Sequence, residues 1–498
     1  MSDKFGPYQK LLKRAHQIAL VSTACETLNW DLETSMPSKA LDFRAEQLAH
    51  FGGMKHRSFT AKSTGEWISA CEQHGFETDS LEAANVREWR RLYGRATKIP
   101  PSLVEKFERT RAHARAAWRE ARKKSEFKIF RPYFEKLVDL NRRRADSWGF
   151  AETPYDALLA EFEPGARTAQ VKTLFAELRT ELVPLLTAAS ERSAAIPKDI
   201  LQGNYPIATQ QRLNHKIAEA IGFDFQAGRI DTTTHPFCTT LGPFDNRLTT
   251  RYNEQDFTQS LYGILHEVGH GLYEQGLPAE HFGTPLGTAA SLGLHESQSR
   301  LWENHVGRDP AFWDRWHPVA CDHFPELKRL TPPQLAAAVN RVSPSFIRVE
   351  ADQVTYDLHI IVRFEIEVRL IQGELAVRDV PGFWNEEFEK MLGLKVTDDS
   401  QGCLQDIHWS LGDMGYFPTY TLGNLNAAQL MHQAKLDDPN LNKDLAAGKY
   451  DSLLKWLRDK VHRHGLRYLP QDLIQQTTGK PTGVANHVDY LRQKFAAV

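Results

Sequence analysis

The chain has 498 residues, 41% hydrophobic and 25% charged, with Lys+Arg 61 against Asp+Glu 63 and a formal charge of −2. That is the composition of an ordinary soluble globular protein; it lacks the basic excess that points to nucleic acid and any block of like charge. The opening segment from Met1 to Lys10 is polar, and no apolar run approaches the length that crosses a bilayer, so neither a signal peptide nor a membrane span is expected. The five cysteines (Cys25, Cys71, Cys238, Cys321, Cys403) are odd in number, scattered, and without a C-x-x-C pair. They indicate neither a disulfide framework nor a thiolate metal site, and fit a reducing cytoplasm.

Most of the N-terminal half reads as helix. Tyr8 to Trp30 carries apolar residues at helical spacing and ends before Met36-Pro37. Arg87 to Lys124, broken at Pro100-Pro101, is rich in Arg, Glu and Ala. Its interleaved Glu makes a salt-bridged helix surface the better reading than a nucleic-acid face. Phe130 to Phe150 and Ala169 to Ser193 repeat the pattern. Residues 228–252 differ: Gly228 to His235 and Asn246 to Tyr252 are Thr-rich and β-favouring, with a Gly242-Pro243 turn signal between them. They predict a small antiparallel sheet, able to hold an extended peptide as an added strand.

Directly after it comes His266-Glu267-Val268-Gly269-His270, which reads H-E-x-x-H. Phe257, Leu261, Ile264, Leu265, Val268 and Leu272 recur at helical spacing around it, Asn253 is placed to cap the start with Asp256 three residues on, and Gly276 with Pro278 marks the stop. Positions four apart lie on one helix face, so both imidazoles converge where zinc can take two nitrogen ligands. Glu267 is placed to act as base toward the attacking water. Helices follow at about 291–306, 333–340, 345–372 and 381–392, then a Gly-rich segment from Gly402 to Gly423, then helices at about 426–434, 440–463 and 485–496.

A catalytic zinc site needs a third protein ligand. The best candidate is Glu296, in His295-Glu296-Ser297-Gln298-Ser299-Arg300 on the next predicted helix, with Glu274 and Glu303 as rivals. Glu274 continues the face of His270 but comes from the same rod, which makes a poor tetrahedral corner.

Several blocks, in order, resemble the carboxypeptidase Taq family of HEXXH metallocarboxypeptidases. Trp30-Asp31, Met36-Pro37 and Arg44-Ala45-Glu46-Gln47-Leu48 look like its N-terminal signature, and His235-Pro236-Phe237 like its Asp-His-Pro-Phe block. The two metal motifs match, as do Ile347-Arg348-Val349-Glu350-Ala351-Asp352, Gly402 to Trp409, and Gly415 to Gly423. The similarity runs from about residue 8 to the C-terminus. One departure is Thr234, where the family usually has Asp.

The resemblance implies a mainly α fold: a large helical body with a deep active-site groove and a small antiparallel β-sheet next to the HEXXH helix. It implies a single catalytic domain over 1–498, with a helical part to about 225, the metal and substrate site at about 226–425, and a helical part from about 426. It also implies removal of C-terminal residues from peptides with broad side-chain specificity, a homodimer, and His266, His270 and Glu296 as ligands of one divalent metal. His and carboxylate donors favour zinc, with cobalt or manganese as alternatives. Glu267 is then general base and later acid. His408 and Tyr420 are the donors chosen for the oxyanion. Arg348 is chosen to grip the substrate carboxylate, with Arg247, Arg251 and Arg363 as rivals. Asp352 and Asp406 are candidates to orient the ligand histidines, with holding His408 or bracing a loop as the alternatives for Asp406. The alternatives are an endo-acting zinc oligopeptidase and a non-catalytic helical metal-binding protein; the intact Glu267 speaks against the second.

Overall fold

The computed structural model describes residues 5–495. Helices dominate it, as the periodicity predicts. The first runs Gly6–Thr34, and Leu41–Phe59 and Lys62–His74 fold beside it. The Arg- and Glu-rich stretch forms Leu81–Lys98, capped by Ser80 through a 3.1 Å bond from the Ala83 N–H, and Pro101–Lys124. The break falls where Pro100 cannot donate, and Pro101 occupies the first turn, which tolerates proline. Phe127–Trp148, Pro154–Phe162 and Thr168–Ser193 follow.

Among the described residues the apolar side chains gather in three clusters. Tyr8, Leu11, Ala15, Ile68, Cys71, Val86 and Trp89 form a small N-terminal one. A large cluster joins the helices from Pro101 to Ser193 with Tyr356–Gln372, Val380–Leu392 and Ala485–Phe495. The other large one surrounds Phe257–Gly276 and takes in Pro310–His323 and Asp451–Lys460. Helix Pro418–Asp437 bridges the two, giving Leu425 to one and Ala427, Leu430, Met431 and Ala434 to the other.

The small sheet is present beside the HEXXH helix, with strands β1 (Gly228–Thr232), β2 (Cys238–Gly242) and β3 (Asp245–Thr250) in the order β1-β3-β2. Its pairing is mixed rather than wholly antiparallel. β2 and β3 form an antiparallel hairpin, whereas β1 runs parallel to β3, Gly228 opposite Asn246 and Thr232 opposite Thr250. The chain from Thr233 to Phe237 crosses β3, held by the Thr233 N–H on the Thr250 carbonyl at 3.0 Å and the Phe237 N–H on Thr249 Oγ1 at 2.8 Å.

The HEXXH helix spans Phe257–Gly276. Its cap is Asp256, which accepts from the Thr258 N–H at 3.0 Å, and not Asn253, whose side chain closes a local turn on the Gln255 N–H at 2.9 Å. Leu292–Arg300 carries on into a π-helical turn, Leu301–Val306. The helix expected over 345–372 begins only at Tyr356, because Asp352 captures the N–H groups of Ser343, Val354 and Thr355 and holds the preceding chain as a loop. Likewise 440–463 is broken into Leu441–Ala446 and Asp451–Lys460, and the helix expected from 426 begins at Pro418.

Two glycines let the central helices touch at the backbone. A Cβ at Gly269 would sit 2.5 Å from the Gln298 carbonyl oxygen and 2.6 Å from Ser299 Cα; one at Gly423 would sit 2.6 Å from Glu296 Cγ. Helices Phe257–Gly276 and Pro418–Asp437 therefore clasp Leu292–Arg300 from both sides. At the head of that clasped helix, the buried Glu163 accepts from the Gly293 N–H.

Burial pushes the Glu163 carboxyl up to about 8. A carboxyl raised above its unfolded value of about 4.3 takes up a proton on folding, so its contribution to stability is complete below that value and lost as pH rises through about 8. Glu163→Gln keeps an acceptor for Gly293 and cannot ionise. Its melting temperature is expected to fall less than the parent's between about pH 6 and pH 8; equal slopes would assign the pH dependence to other groups. Gly423→Ala is expected to strain the clasp by about 1–3 kcal/mol and displace Glu296. Metal affinity, read by competition with a chromophoric chelator, should fall on the order of tenfold or more, and unchanged affinity would show that the contact relaxes elsewhere.

Candidate metal centre

His266 and His270 project from one face of Phe257–Gly276, and Glu296 reaches them from the clasped helix. Their ligand atoms all lie within 4.8 Å of one another. Glu296 Oε2 is 3.6 Å from His266 Nε2 and 3.5 Å from His270 Nε2, so the three donors face a common point. Both histidines are oriented from behind: His266 Nδ1 lies 3.0 Å from Glu303 Oε2, and His270 Nδ1 lies 3.0 Å from the His295 carbonyl. Each oxygen can only accept, so each ring carries its proton on Nδ1 and presents the Nε2 lone pair.

These are donors of the kind a divalent metal requires, and a second observation agrees with one. Glu267 is buried, and its Oε2 has no hydrogen-bond partner within the protein. An unmatched buried carboxylate oxygen next to a His-His-Glu cluster fits an acceptor for water held at the metal. Burial pushes the Glu267 carboxyl up to about 7, helped by Glu296 and Glu303 and opposed by His266.

The two sequence rivals for the third ligand have other partners. Glu303 sits between two cations: besides the His266 ring N–H, Arg300 Nη1 and Arg308 Nη2 each lie 3.3 Å from it. Burial alone would raise its carboxyl, but Arg300, His266 and Arg308 prevail and hold it at about 2. Arg300 also gives its Nε–H to Glu296 Oε1 at 2.8 Å. Glu274 points the other way, 2.9 Å from His295 Nε2 and accepting from Thr240 Oγ1 of β2 at 2.8 Å. His295 in turn stacks on His270 with ring centroids 4.4 Å apart. A chain of contacts thus runs from the edge strand to a candidate ligand. His295 and Glu303 are residues whose orienting roles sequence reasoning missed, although both lie in the second motif and the turn after it.

Asp352 and Asp406 do not orient the histidines. Asp352 is occupied with backbone N–H groups, as above. Asp406 accepts from Arg348 through Nε at 3.0 Å and Nη2 at 2.8 Å, and from Arg363 through Nε at 2.7 Å. Arg348 Nη1 donates to Tyr356 Oη at 3.0 Å, and its guanidinium lies 4.8 Å from the Tyr420 ring centroid. Two buried guanidinium groups on one carboxylate leave a net positive charge there. Arg363 is fully buried, Arg247 is held bidentate by Asp245 at 2.9 and 3.1 Å, and Arg251 is exposed.

His408 and Tyr420 are brought together, Nε2 to Oη 3.3 Å. Tyr420 stands on helix Pro418–Asp437 rather than in a loop. Burial outweighs the nearby Asp406 and holds His408 at about 4, so its ring is neutral. His408 Nδ1 is 4.0 Å from Asp406 Oδ1. His235 and Thr234 are exposed in the crossover, while Phe237 packs edge-on against Trp30 of the first helix, 5.6 Å between centroids. Asp231, the nearest upstream acid, is taken by Arg229 at 2.6 Å, so it does not stand in for the acid absent at position 234.

Residues 10–495 match the sequence profile of the carboxypeptidase Taq (M32) metallopeptidase family. The chain is 41% identical to thermostable carboxypeptidase 1 of Thermus thermophilus, over 99% of this chain and 98% of that one. In structure it is similar to an M32 carboxypeptidase from Deinococcus radiodurans (TM-score 0.95, 39% identity, 98% of this chain and 99% of that chain). A Pyrococcus furiosus carboxypeptidase gives TM-score 0.96 at 34% identity, covering 99% of this chain and 100% of that chain. With the HEXXH helix, the His295–Arg300 motif and the full-length match in agreement, the chain belongs to the carboxypeptidase Taq (M32) family of metallopeptidases.

Proposed function

We propose that this chain removes residues one at a time from the free C-terminus of peptides, with broad side-chain tolerance, using one divalent metal held by His266, His270 and Glu296. The observation that carries the hydrolytic reading is the unpartnered Oε2 of the buried Glu267 beside the three convergent donors. The bound metal supplies Lewis acidity, acidifying a water and polarising the scissile carbonyl. Glu267, with a carboxyl near 7, takes the proton of the attacking water and returns it to the leaving amine. Tyr420 donates its hydroxyl proton toward the oxyanion, and the neutral His408 fixes the direction of that hydroxyl. Arg348 lends the excess positive charge of its pair with Arg363 to the substrate carboxylate. Extended substrate lies along β2, the sheet's edge strand against the HEXXH helix.

Two imidazoles and a carboxylate favour zinc, with cobalt and manganese open to the same set. A homodimer is supported by helix Leu41–Phe59, which buries none of its residues and leaves Leu41 52% and Phe43 67% exposed; a monomer mass by light scattering would remove it. Five free cysteines accord with a reducing cytoplasm.

Glu267→Gln is expected to retain metal at parental stoichiometry while hydrolysis falls by at least about a hundredfold. Full activity in that variant would sink the mechanism. Time-resolved mass spectrometry of a peptide digest should show a ladder of C-terminal losses, and the same peptide with an amidated C-terminus should resist. Arg348→Gln is expected to lower kcat/KM on free-acid peptides about ten- to a hundredfold while barely changing the slow cleavage of amides. Equal losses on both substrates would move the carboxylate grip to another cation.

A further inference from the structure

Glu367, on helix Tyr356–Gln372, is fully buried, and the proposed chemistry does not use it. Its carboxylate accepts three hydrogen bonds. Trp409 Nε1–H donates to Oε1 at 2.9 Å, while the Gly415 N–H at 3.0 Å and the Tyr155 hydroxyl at 2.7 Å donate to Oε2. All three donors are neutral. Burial pushes the carboxyl up to about 7 against the pull of these bonds, so the site holds the group for its shape and not for a counter-charge.

Two of the donors bound one short segment. Trp409 directly follows His408, and Gly415 directly precedes Tyr416, after which Pro418 opens the helix bearing Tyr420. Gly415 is itself constrained: its φ is +93°, and a Cβ there would lie 2.7 Å from the Leu158 backbone. His408 packs against Tyr416 and Phe417 at 5.1 and 4.5 Å between centroids, and reaches Tyr420 from the other side of the turn. The 3.3 Å His408–Tyr420 contact therefore depends on where the two ends of the 409–415 turn are held.

We infer that Glu367 is a positioning residue that sets the place of His408 and Tyr420 by gripping both ends of the turn between them. The inference rests on the reading of those two residues given above. Acceptor geometry makes it specific. A carboxylate offers two accepting oxygens, whereas glutamine offers one oxygen and one donating amide. In Glu367→Gln the amide opposes either the Trp409 or the Gly415 N–H, so one end of the turn loses its bond in either orientation. Tyr155 lies on a separate helix, Pro154–Phe162, and its hydroxyl can turn to accept.

The test uses the full-length, metal-loaded enzyme. Glu367→Gln is expected to bind metal at parental stoichiometry, with KM within about twofold and kcat lowered on the order of ten- to a hundredfold, as for a catalytic group misplaced by about 1 Å. Tyr155→Phe leaves both ends of the turn held, and its kcat should stay within about threefold of the parent's. If Glu367→Gln does not fold, Trp409→Phe takes its place and must lower kcat more than Tyr155→Phe does. A kcat within about threefold of parent in Glu367→Gln overturns the inference, as do equal effects of Trp409→Phe and Tyr155→Phe. Tyr420→Phe separates the two levels. A low kcat there with parental kcat in Glu367→Gln keeps the proposed mechanism and removes only the role of Glu367; parental kcat in Tyr420→Phe removes both.

Discussion

Backbone contact between three helices is the constraint from which this centre is built. Glu296 is held less by its own side-chain torsions than by glycines on either side, since the backbone at Gln298 and Ser299 lies against Gly269 and its own side chain lies against Gly423. Because the first contact falls on Gly269, between the two histidines in the HEXXH helix, the close approach that places Glu296 also fixes its distance from both rings. Packed interiors yield little to an added carbon, so such an approach defines the donor positions more sharply than long side chains reaching from distant elements.

Around that contact the charges are arranged in compensating pairs. Arg300 bonds to Glu296 and Glu303, and Glu303 bonds to His266, so a cation steadies the two carboxylates nearest the first histidine. Buried charges of this kind contribute little net stability, because the loss of hydration offsets most of the attraction. Their effect lies in direction: each fixes a ring or a carboxylate edge. Asp406 with Arg348 and Arg363 follows a different rule, with two cations on one anion. A mismatch so deeply buried favours an arriving negative group.

The His-His-Glu cluster was legible in the sequence because its elements are local: two histidines one helical turn apart, and an acid on the next helix. The partners that orient them were less so. Glu303 and His295 look like ordinary polar residues, and only the angle between two helices brings one carboxylate and one carbonyl behind the imidazoles. Local competition also hid boundaries. Asn253 and Asp256 are both good caps, and the choice went to the residue whose rival already had a turn to close. The parallel pairing of β1 was out of reach for a related reason, since it depends on a crossover tied down by Thr249 and Thr250, and both orders of strands share one alternation pattern.

The first helix meets the sheet through Trp30 on Phe237, but its inner face belongs to the small N-terminal cluster, which has far fewer buried side chains than the two large ones. Cooperative units open at free energies that follow their buried apolar contact. On warming or partial denaturation, the first helix is therefore expected to leave its sheet before the clasp around Glu296 opens. A reading of the His-His-Glu donors alone would then count as intact those molecules that have already lost this helix.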